Sequence, residues 1–390
     1  MSYSKILVVD DEPDLQSLIM QKFRKEIKEN QYDFTFAGNG IQALKRIDEE
    51  KDIELILADI NMPEMDGLTL LAKINEMNNK LIKSVIVSAY GDMDNIRTAM
   101  NMGAYDFITK PIDLKDLKIT IEKSLKEIQD YKAVVSAQKK LLAIQQELDI
   151  ANIIQTSLLQ KKFPAFPDRK EFDIFAKMVP AKEVGGDLYD FFLIDKYRLG
   201  VVVGDVSGKG IAAALLMAVS KTLLKATATK GMPADNILSE VNNIIAEESP
   251  SNMFVTVFLG VLDTRSGSFE YSNGGHNPPY LISADGTAKQ LDNIGGLLLG
   301  AIKDVEYQSN VVMLKPGESL FFYTDGVTEA FNKDEEEFQE ARLEKSLANR
   351  NSLNTDELVQ HVFDDVQSYS EGTLQSDDIT CVALKYLKQK

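Results

Sequence analysis

Aspartates recur in this chain at the ends of short apolar runs, and their spacing sorts them into two sets. In the first set, Asp10 and Asp11 follow Lys5–Val9 and Asp59 follows Leu55–Ala58. Ser88 closes the run Ser84–Ser88, and Lys110 comes just after Asp106–Thr109. Three carboxylates brought together repel: at roughly 4 Å and an effective dielectric near 20, each pair costs about 4 kcal/mol. A divalent cation relieves that cost. Asp59 is then a candidate nucleophile toward a phosphoryl group whose charge the cation, the Lys110 ammonium and the Ser88 hydroxyl offset.

The second set lies in the C-terminal half, in Gly185-Gly186-Asp187, Gly204-Asp205-Val206-Ser207-Gly208, Thr324-Asp325-Gly326 and Ser376-Asp377-Asp378-Ile379-Thr380. Asp205, Asp325 and Asp377 border strand-like runs and so can gather at one sheet edge. Glycine beside each of the first three acids lets the backbone approach an ion closely. A single Gly–Asp pair is ordinary turn chemistry; four acids in such settings point to a site. An all-carboxylate cluster suits one or two hard cations, and paired ions about 3.5–4 Å apart can activate a bridging water and clamp a phosphoryl group. Gly204–Gly210 is no Walker loop, because its first glycine would fall at Val203 and Gly210 replaces the required Ser or Thr.

These residues need elements to hold them. Over residues 1 to about 120, strand-like runs (Lys5–Val9, Tyr32–Ala37, Leu55–Ala58, Ser84–Ser88, Asp106–Thr109) alternate with helical patterns such as Leu15–Ile27 and Ile41–Ile47. That alternation predicts an α/β, doubly wound, five-stranded parallel domain, whose strand carboxyl ends form the ligand crevice. From Leu114 to Leu159 there is no Gly or Pro. Leu114, Leu117, Ile121, Ile128, Tyr131, Val135 and Leu142 form one apolar seam, and Leu141, Ile144, Leu148, Ala151 and Leu158 a second, out of phase. The spacing predicts a long helix and a coiled-coil homodimer with a register break near Gln138–Leu142; a helix packed on its own domains has the same spacing. Phe163-Pro164-Ala165-Phe166-Pro167 ends the helix. Beyond Lys170, the runs Leu199–Gly204, Phe254–Leu262, Phe269–Ser272, Ser319–Tyr323 and Ile379–Leu384 surround two helical stretches, Ile211–Thr229 and Asp235–Glu247, an α+β texture. The expected domains are therefore 1–122, a helical linker 123–162, and 170–388.

Composition narrows the chemistry. A formal net charge of −17 argues against nucleic acid, which is bound largely through Lys and Arg. Two histidines and one cysteine cannot build a His-rich or a Cys-rich zinc site, so any metal is expected to be held mainly by oxygen: magnesium, manganese or calcium. A lone Cys381 suits a reducing cytoplasm. The apolar run Ile6–Val9 stops at Asp10, unlike a signal peptide. Ile211–Val219, bounded by Lys209 and Lys221, is expected to be too short to span a membrane.

Ile6-Leu7-Val8-Val9-Asp10-Asp11-Glu12-Pro13, Asp59-Ile60-Asn61-Met62-Pro63-Glu64-Met65-Asp66-Gly67, Val87-Ser88-Ala89 and Thr109-Lys110-Pro111 together resemble response-regulator receivers. The resemblance implies Asp59 as phosphoacceptor from a sensor histidine kinase, with Asp10, Asp11, Asp59 and the Asn61 carbonyl serving Mg2+. It also implies Ser88 and Phe107 as couplers of phosphorylation to a surface change, and a cis Lys110–Pro111 bond. Val184-Gly185-Gly186-Asp187-Leu188-Tyr189-Asp190, Gly204-Asp205-Val206-Ser207-Gly208-Lys209-Gly210, Asn273-Gly274-Gly275-His276-Asn277-Pro278-Pro279, Tyr323-Thr324-Asp325-Gly326-Val327-Thr328-Glu329 and Asp377-Asp378-Ile379-Thr380 resemble the sporulation-E-type branch of the PPM serine/threonine phosphatases, a β-sandwich flanked by helices.

By this second resemblance Asp187, Asp205, Asp325 and Asp377 ligate two ions, Mn2+ or Mg2+, with the Val206 carbonyl contributing and Asp378 an alternative to Asp377. His276 is expected to buttress a loop rather than donate a proton, and Lys182 or Lys209 to meet substrate phosphate. The implied substrate is phosphoserine or phosphothreonine on a partner protein, an anti-sigma-factor antagonist, hydrolysed without a phosphoenzyme. Phosphorylation at Asp59 is expected to alter this rate through the 114–159 helix. The rival is a non-catalytic adaptor, which the retention of all four acids disfavours.

Overall fold

Near-continuous apolar runs in the N-terminal half form strands buried on both faces, as parallel sheets require. The computed structural model describes residues 3–89, 91–248 and 253–387, and the chain divides into two units, Met1–Ala143 and Ile144–Lys390. The first unit runs β1 (Ser4–Val9), α1 (Pro13–Lys22), α2 (Arg24–Lys28), β2 (Tyr32–Ala37), α3 (Gly40–Glu49), β3 (Ile53–Asp59), α4 (Gly67–Glu76), β4 (Lys83–Ala89), α5 (Met93–Asn101) and β5 (Asp106–Lys110), and leads into α6 (Leu114–Leu158). Its sheet has the order β2-β1-β3-β4-β5, all parallel. The order reverses at β1, so the loops after β1 and β3 open side by side, where Asp10, Asp11 and Asp59 lie.

Helices cover both faces of this sheet. Ala43 and Ile47 of α3 and Leu70, Leu71 and Ile74 of α4 pack on one face. On the other, Leu15 and Ile19 of α1 meet Leu117, Ile121, Leu125 and Ile128 of α6. This corrects the coiled-coil expectation over its first third: Leu117, Ile121 and Ile128 belong to the core of the first unit. Farther along α6, Leu141, Leu142, Ile144, Ile150, Ile153 and Ile154 are exposed.

The second unit continues with β6 (Phe172–Val179), β7 (Leu188–Leu193), β8 (Arg198–Val206), α7 (Ile211–Ala228), α8 (Ala234–Glu248), β9 (Val255–Asp263), β10 (Ser268–Gly274), β11 (Tyr280–Ile282), β12 (Ala288–Gln290), β13 (Ser309–Met313), β14 (Ser319–Tyr323), α9 (Asp325–Thr328), α10 (Gln339–Leu347), α11 (Thr355–Tyr369) and β15 (Ile379–Tyr386). Two antiparallel sheets, β13-β10-β9-β8-β7 and β12-β11-β14-β15-β6, face one another. Phe191, Val201, Phe258 and Tyr271 of the first interdigitate with Ile174, Phe322, Val382 and Leu384 of the second. Helices α7 and α8 cover the outer face of one sheet, and α10 and α11 that of the other.

Helix α7 also corrects an expectation about length. Its 18 residues, with mean hydropathy 1.5, are long and apolar enough to cross a membrane. Here one face of it is core, with Ala213, Met217, Leu224 and Ala228 fully buried against the sheet and α8.

Candidate functional sites

In the first unit, carboxylate oxygens of Asp10, Asp11 and Asp59 all lie within 4.8 Å of one another. Lys110, at the end of β5, sets its ammonium 2.6 Å from Asp59 Oδ2 and 3.0 Å from both Asp10 Oδ2 and Glu12 Oε1. Burial works against this ammonium, but hydrogen bonds to Asp59, Asp10 and Glu12 outweigh it and hold its pKa above the lysine norm. Burial also lifts Asp10 above the usual carboxylate range. Its Oδ2 is buried and, although near Lys110, has no well-aligned hydrogen bond. A half-satisfied carboxylate oxygen among three clustered acids fits a hard cation.

The neighbouring residues take their places around Asp59. The Asn61 N–H donates to Asp59 Oδ1 at 3.3 Å. Ser88, next to last in β4, is fully buried, and its hydroxyl donates to Asp92 Oδ2 at 3.3 Å, just ahead of α5. Phe107 stands partly exposed on β5, and the Lys110–Pro111 bond is cis.

In the second unit, the start of β7, the end of β8, the end of β14 and the start of β15 meet at one end of the sandwich. Pairing of Leu188 with Gly204 brings Asp187 beside Asp205, and pairing of Tyr323 with Cys381 brings Asp325 to the end of the ladder where Asp377 lies two residues past its partner position. Asp187 is buried, and its Oδ2 accepts hydroxyl hydrogen bonds from Thr324 (2.8 Å) and Thr380 (2.5 Å). Burial, and then Asp205, pushes its pKa well above the carboxylate range. Burial, followed by Asp325 and Asp377, pushes Asp205 up to about 7. Burial and Asp377 raise Asp325 as well.

The backbone is shaped to this cluster. A Cβ on Gly186 would sit 2.7 Å from the Val206 carbonyl oxygen and 3.0 Å from Asp205 Oδ1. Glycine thus keeps a carbonyl and a carboxylate open toward the same space, an all-oxygen cradle of the kind magnesium or manganese takes.

The adjacent acids Asp377 and Asp378 do different things. Asp378 is buried; its Oδ1 accepts the Ala181 N–H at 2.8 Å and its Oδ2 the Gly186 N–H at 2.7 Å, with Asp187 N–H at 3.4 Å. Both its oxygens are therefore committed to the backbone. Asp377 instead meets the Lys209 ammonium at 2.9 Å, and Lys209 also donates to the Ser376 carbonyl. Lys182 is exposed.

His276 is a brace. Its Nε2 lies 3.1 Å from the Tyr323 carbonyl, which can only accept, so Nε2 carries the proton and Nδ1 accepts from Thr256 Oγ1 at 2.9 Å. Thr256 pairs with Asp205 across β8 and β9, and Tyr323 precedes Thr324-Asp325. Burial pulls the imidazole down to about 4, so it stays neutral. Thr324 and Thr380 have no evident task in the sequence; that each lies next to or two residues from an acid was the available signal.

Residues 195–387 match the family Stage II sporulation protein E (SpoIIE), and residues 6–122 match the response regulator receiver domain. Phosphoserine phosphatase RsbU of Bacillus subtilis is 31% identical over 244 residues, covering 62% of this chain and 70% of that protein. The chain belongs to the SpoIIE family of PPM-type protein phosphatases. Protein IcfG of Synechocystis sp. is 30% identical over 247 residues, 56% of this chain, and the chain spans only 39% of IcfG's length. The SiaA-PP2C domain of Pseudomonas aeruginosa, 22% identical, superposes with a TM-score of 0.55 over 64% of this chain and 98% of that one, which shows the shared fold. The chain thus carries a receiver domain and, in its second unit, acids at the joined strand ends of a PP2C-like sandwich.

Proposed function

We propose that the chain hydrolyses phosphoserine or phosphothreonine on a partner protein, under the control of phosphorylation at Asp59. The reading is carried by one observation: strand pairing gathers Asp187, Asp205, Asp325 and Asp377, from separate stretches, at one end of the sandwich, where burial and then mutual repulsion raise the pKa of the first three. Asp187, Asp205, Asp325 and Asp377, with the Val206 carbonyl, would hold two magnesium or manganese ions. Asp10, Asp11, Asp59 and the Asn61 carbonyl would hold magnesium in the receiver. Such ions, when bound, lower the pKa of water and neutralise phosphoryl charge.

The chain's own groups do the rest. Thr324 and Thr380 fix the Asp187 carboxylate in one orientation. Asp378 shapes the Gly185–Asp187 backbone and so leaves Asp377 as the ligand of the pair. Lys209, beside Asp377, offers a positive group to a substrate phosphate oxygen. His276, neutral and hydrogen-bonded at both ring nitrogens, orients strands and moves no proton. In the receiver, a bond forms between Asp59 and phosphorus as the N–P bond of a histidine kinase breaks, and Lys110 offsets the charge of the acquired group.

The family branch makes an anti-sigma-factor antagonist the candidate substrate, in the cytoplasm, and the likeness to a phosphoserine phosphatase favours phosphoserine. The exposed apolar residues of α6 between Leu141 and Ile154 favour a homodimer through that helix. The test is release of phosphate from an aryl phosphate with manganese, wild type against Asp325→Ala. Loss of most turnover in the variant is expected. Equal rates would overturn the site, and no turnover in either, with phosphorylation-dependent partner binding, would favour the adaptor.

A further inference from the structure

The last turns of α6 lie in the phosphatase unit, and one buried side chain there is bound to the backbone that leads into Asp187. Gln155 is 4% exposed. Its Nε2 donates to the Gly185 carbonyl at 2.6 Å and its Oε1 accepts the Gly185 N–H at 3.1 Å, so one amide satisfies both polar groups of one residue. One turn earlier, Asn152 donates to the Glu183 carbonyl. One turn later, Leu159, just past the helix end, is buried in the sandwich core. The same helical face thus grips residues 183–185 and the core together.

On its far side this segment is held by the site. A Cβ on Gly185 would fall 2.1 Å from Asp378 Oδ2, so the segment is pressed directly against that carboxylate. The next residue, Gly186, donates to Asp378 and accepts from the Val206 N–H at 3.3 Å; the one after is Asp187. A shift of α6 cannot leave Gly185 behind without burying an unpaired N–H and C=O, which is costly. It therefore carries Gly186 and Asp187 with it, and these border the carbonyl and carboxylate of the cation cradle. The opposite side of the same turns exposes Ile150, Ile153 and Ile154, so whatever covers them acts on the helix that holds Gly185.

We propose that Gln155 is a positioning residue that transmits the placement of α6 to Asp187 and the Gly186–Val206 cradle. The regulatory part of this inference rests on the phosphatase reading above; the positional part does not. The tests use the full chain with Gln155→Met, which keeps side-chain length and removes both hydrogen bonds, and Gln155→Glu, which keeps only the acceptor.

Without cation, amide hydrogen exchange over residues 183–187 is expected to speed up by about tenfold or more in Gln155→Met. The manganese concentration for half-maximal aryl-phosphate turnover is expected to rise about tenfold, the scale typical of groups that orient ligands, with saturated kcat changed far less. Gln155→Glu is expected to fall between and serves as the primary variant if Gln155→Met does not fold. A receiver phosphoryl analogue shifts half-activation in wild type and not in Gln155→Met. Unchanged exchange and unchanged half-activation in the folded variants would overturn the proposal. Absence of turnover in wild type would instead overturn the phosphatase reading, while the exchange measurement still decides Gln155.

Discussion

Replacing Asp377 and Asp378 one at a time should separate activity from stability between adjacent residues. Asp378 accepts backbone N–H groups from Ala181 and Gly186 at 2.8 and 2.7 Å. Asn at 378 keeps one acceptor and turns an NH2 toward the other donor. That change removes one charge-assisted hydrogen bond and leaves a buried N–H unpaired, together about 3 kcal/mol. Relief of repulsion acts the other way, but Asp378 ranks behind Asp325 and Asp377 in its effect on Asp205. For a unit of this size the remainder corresponds to a fall of roughly 5–10 °C in Tm. Asn at 377 loses only a partly exposed ion pair with Lys209, worth about 1 kcal/mol or less, and also eases crowding of Asp205 and Asp325. Its Tm should stay near wild type while manganese-dependent turnover falls by about 100-fold or more. Calorimetry and aryl-phosphate hydrolysis on both variants decide the matter. A stable, inactive Asp378→Asn beside an unstable, active Asp377→Asn would refute the division of labour.

Cation affinity at the phosphatase site should weaken with acid. Asp205 is pushed up to about 7, so below that pH it holds a proton the cation must expel, and affinity should fall about tenfold per pH unit toward pH 5; titration calorimetry showing pH-independent affinity would contradict this. Lys110→Ala removes the ammonium 2.6 Å from Asp59 and should slow phosphoryl transfer to Asp59 by an order of magnitude or more, read on phosphate-affinity gels. Paired Leu142→Glu and Ile153→Glu substitutions, at exposed positions on α6, should convert a dimer to a monomer by light scattering with little change in helix content; a wild type that is already monomeric contradicts the dimer.

The receiver fold was legible in the sequence, because each candidate residue lies at or just past the carboxyl end of a strand and parallel topology sends all such ends to one rim. The seam through Leu117, Ile121 and Ile128 was legible as an apolar face but not as to its cover, since a receiver core and a coiled coil impose the same spacing. Helix α11 went unnoticed although Asn354 and Glu357 form a capping box ahead of its apolar positions. Strands β11 and β12, of three residues each, were too short to show alternation. The choice between Asp377 and Asp378 was open in sequence because it depends on which backbone N–H groups surround each acid. Gln155 gave no signal at all: a glutamine in a charged helix reads as a solvated one.

The neutral imidazole of His276 has a further consequence. Its tie between β9, which pairs with the strand bearing Asp205, and the strand leading to Asp325 uses no charge and keeps its proton arrangement down to about pH 4. Mild acidification should therefore protonate Asp205 without loosening the frame around it. On the proposed function, return to neutrality then needs only deprotonation, and activity should recover at the speed of ion binding, not of refolding.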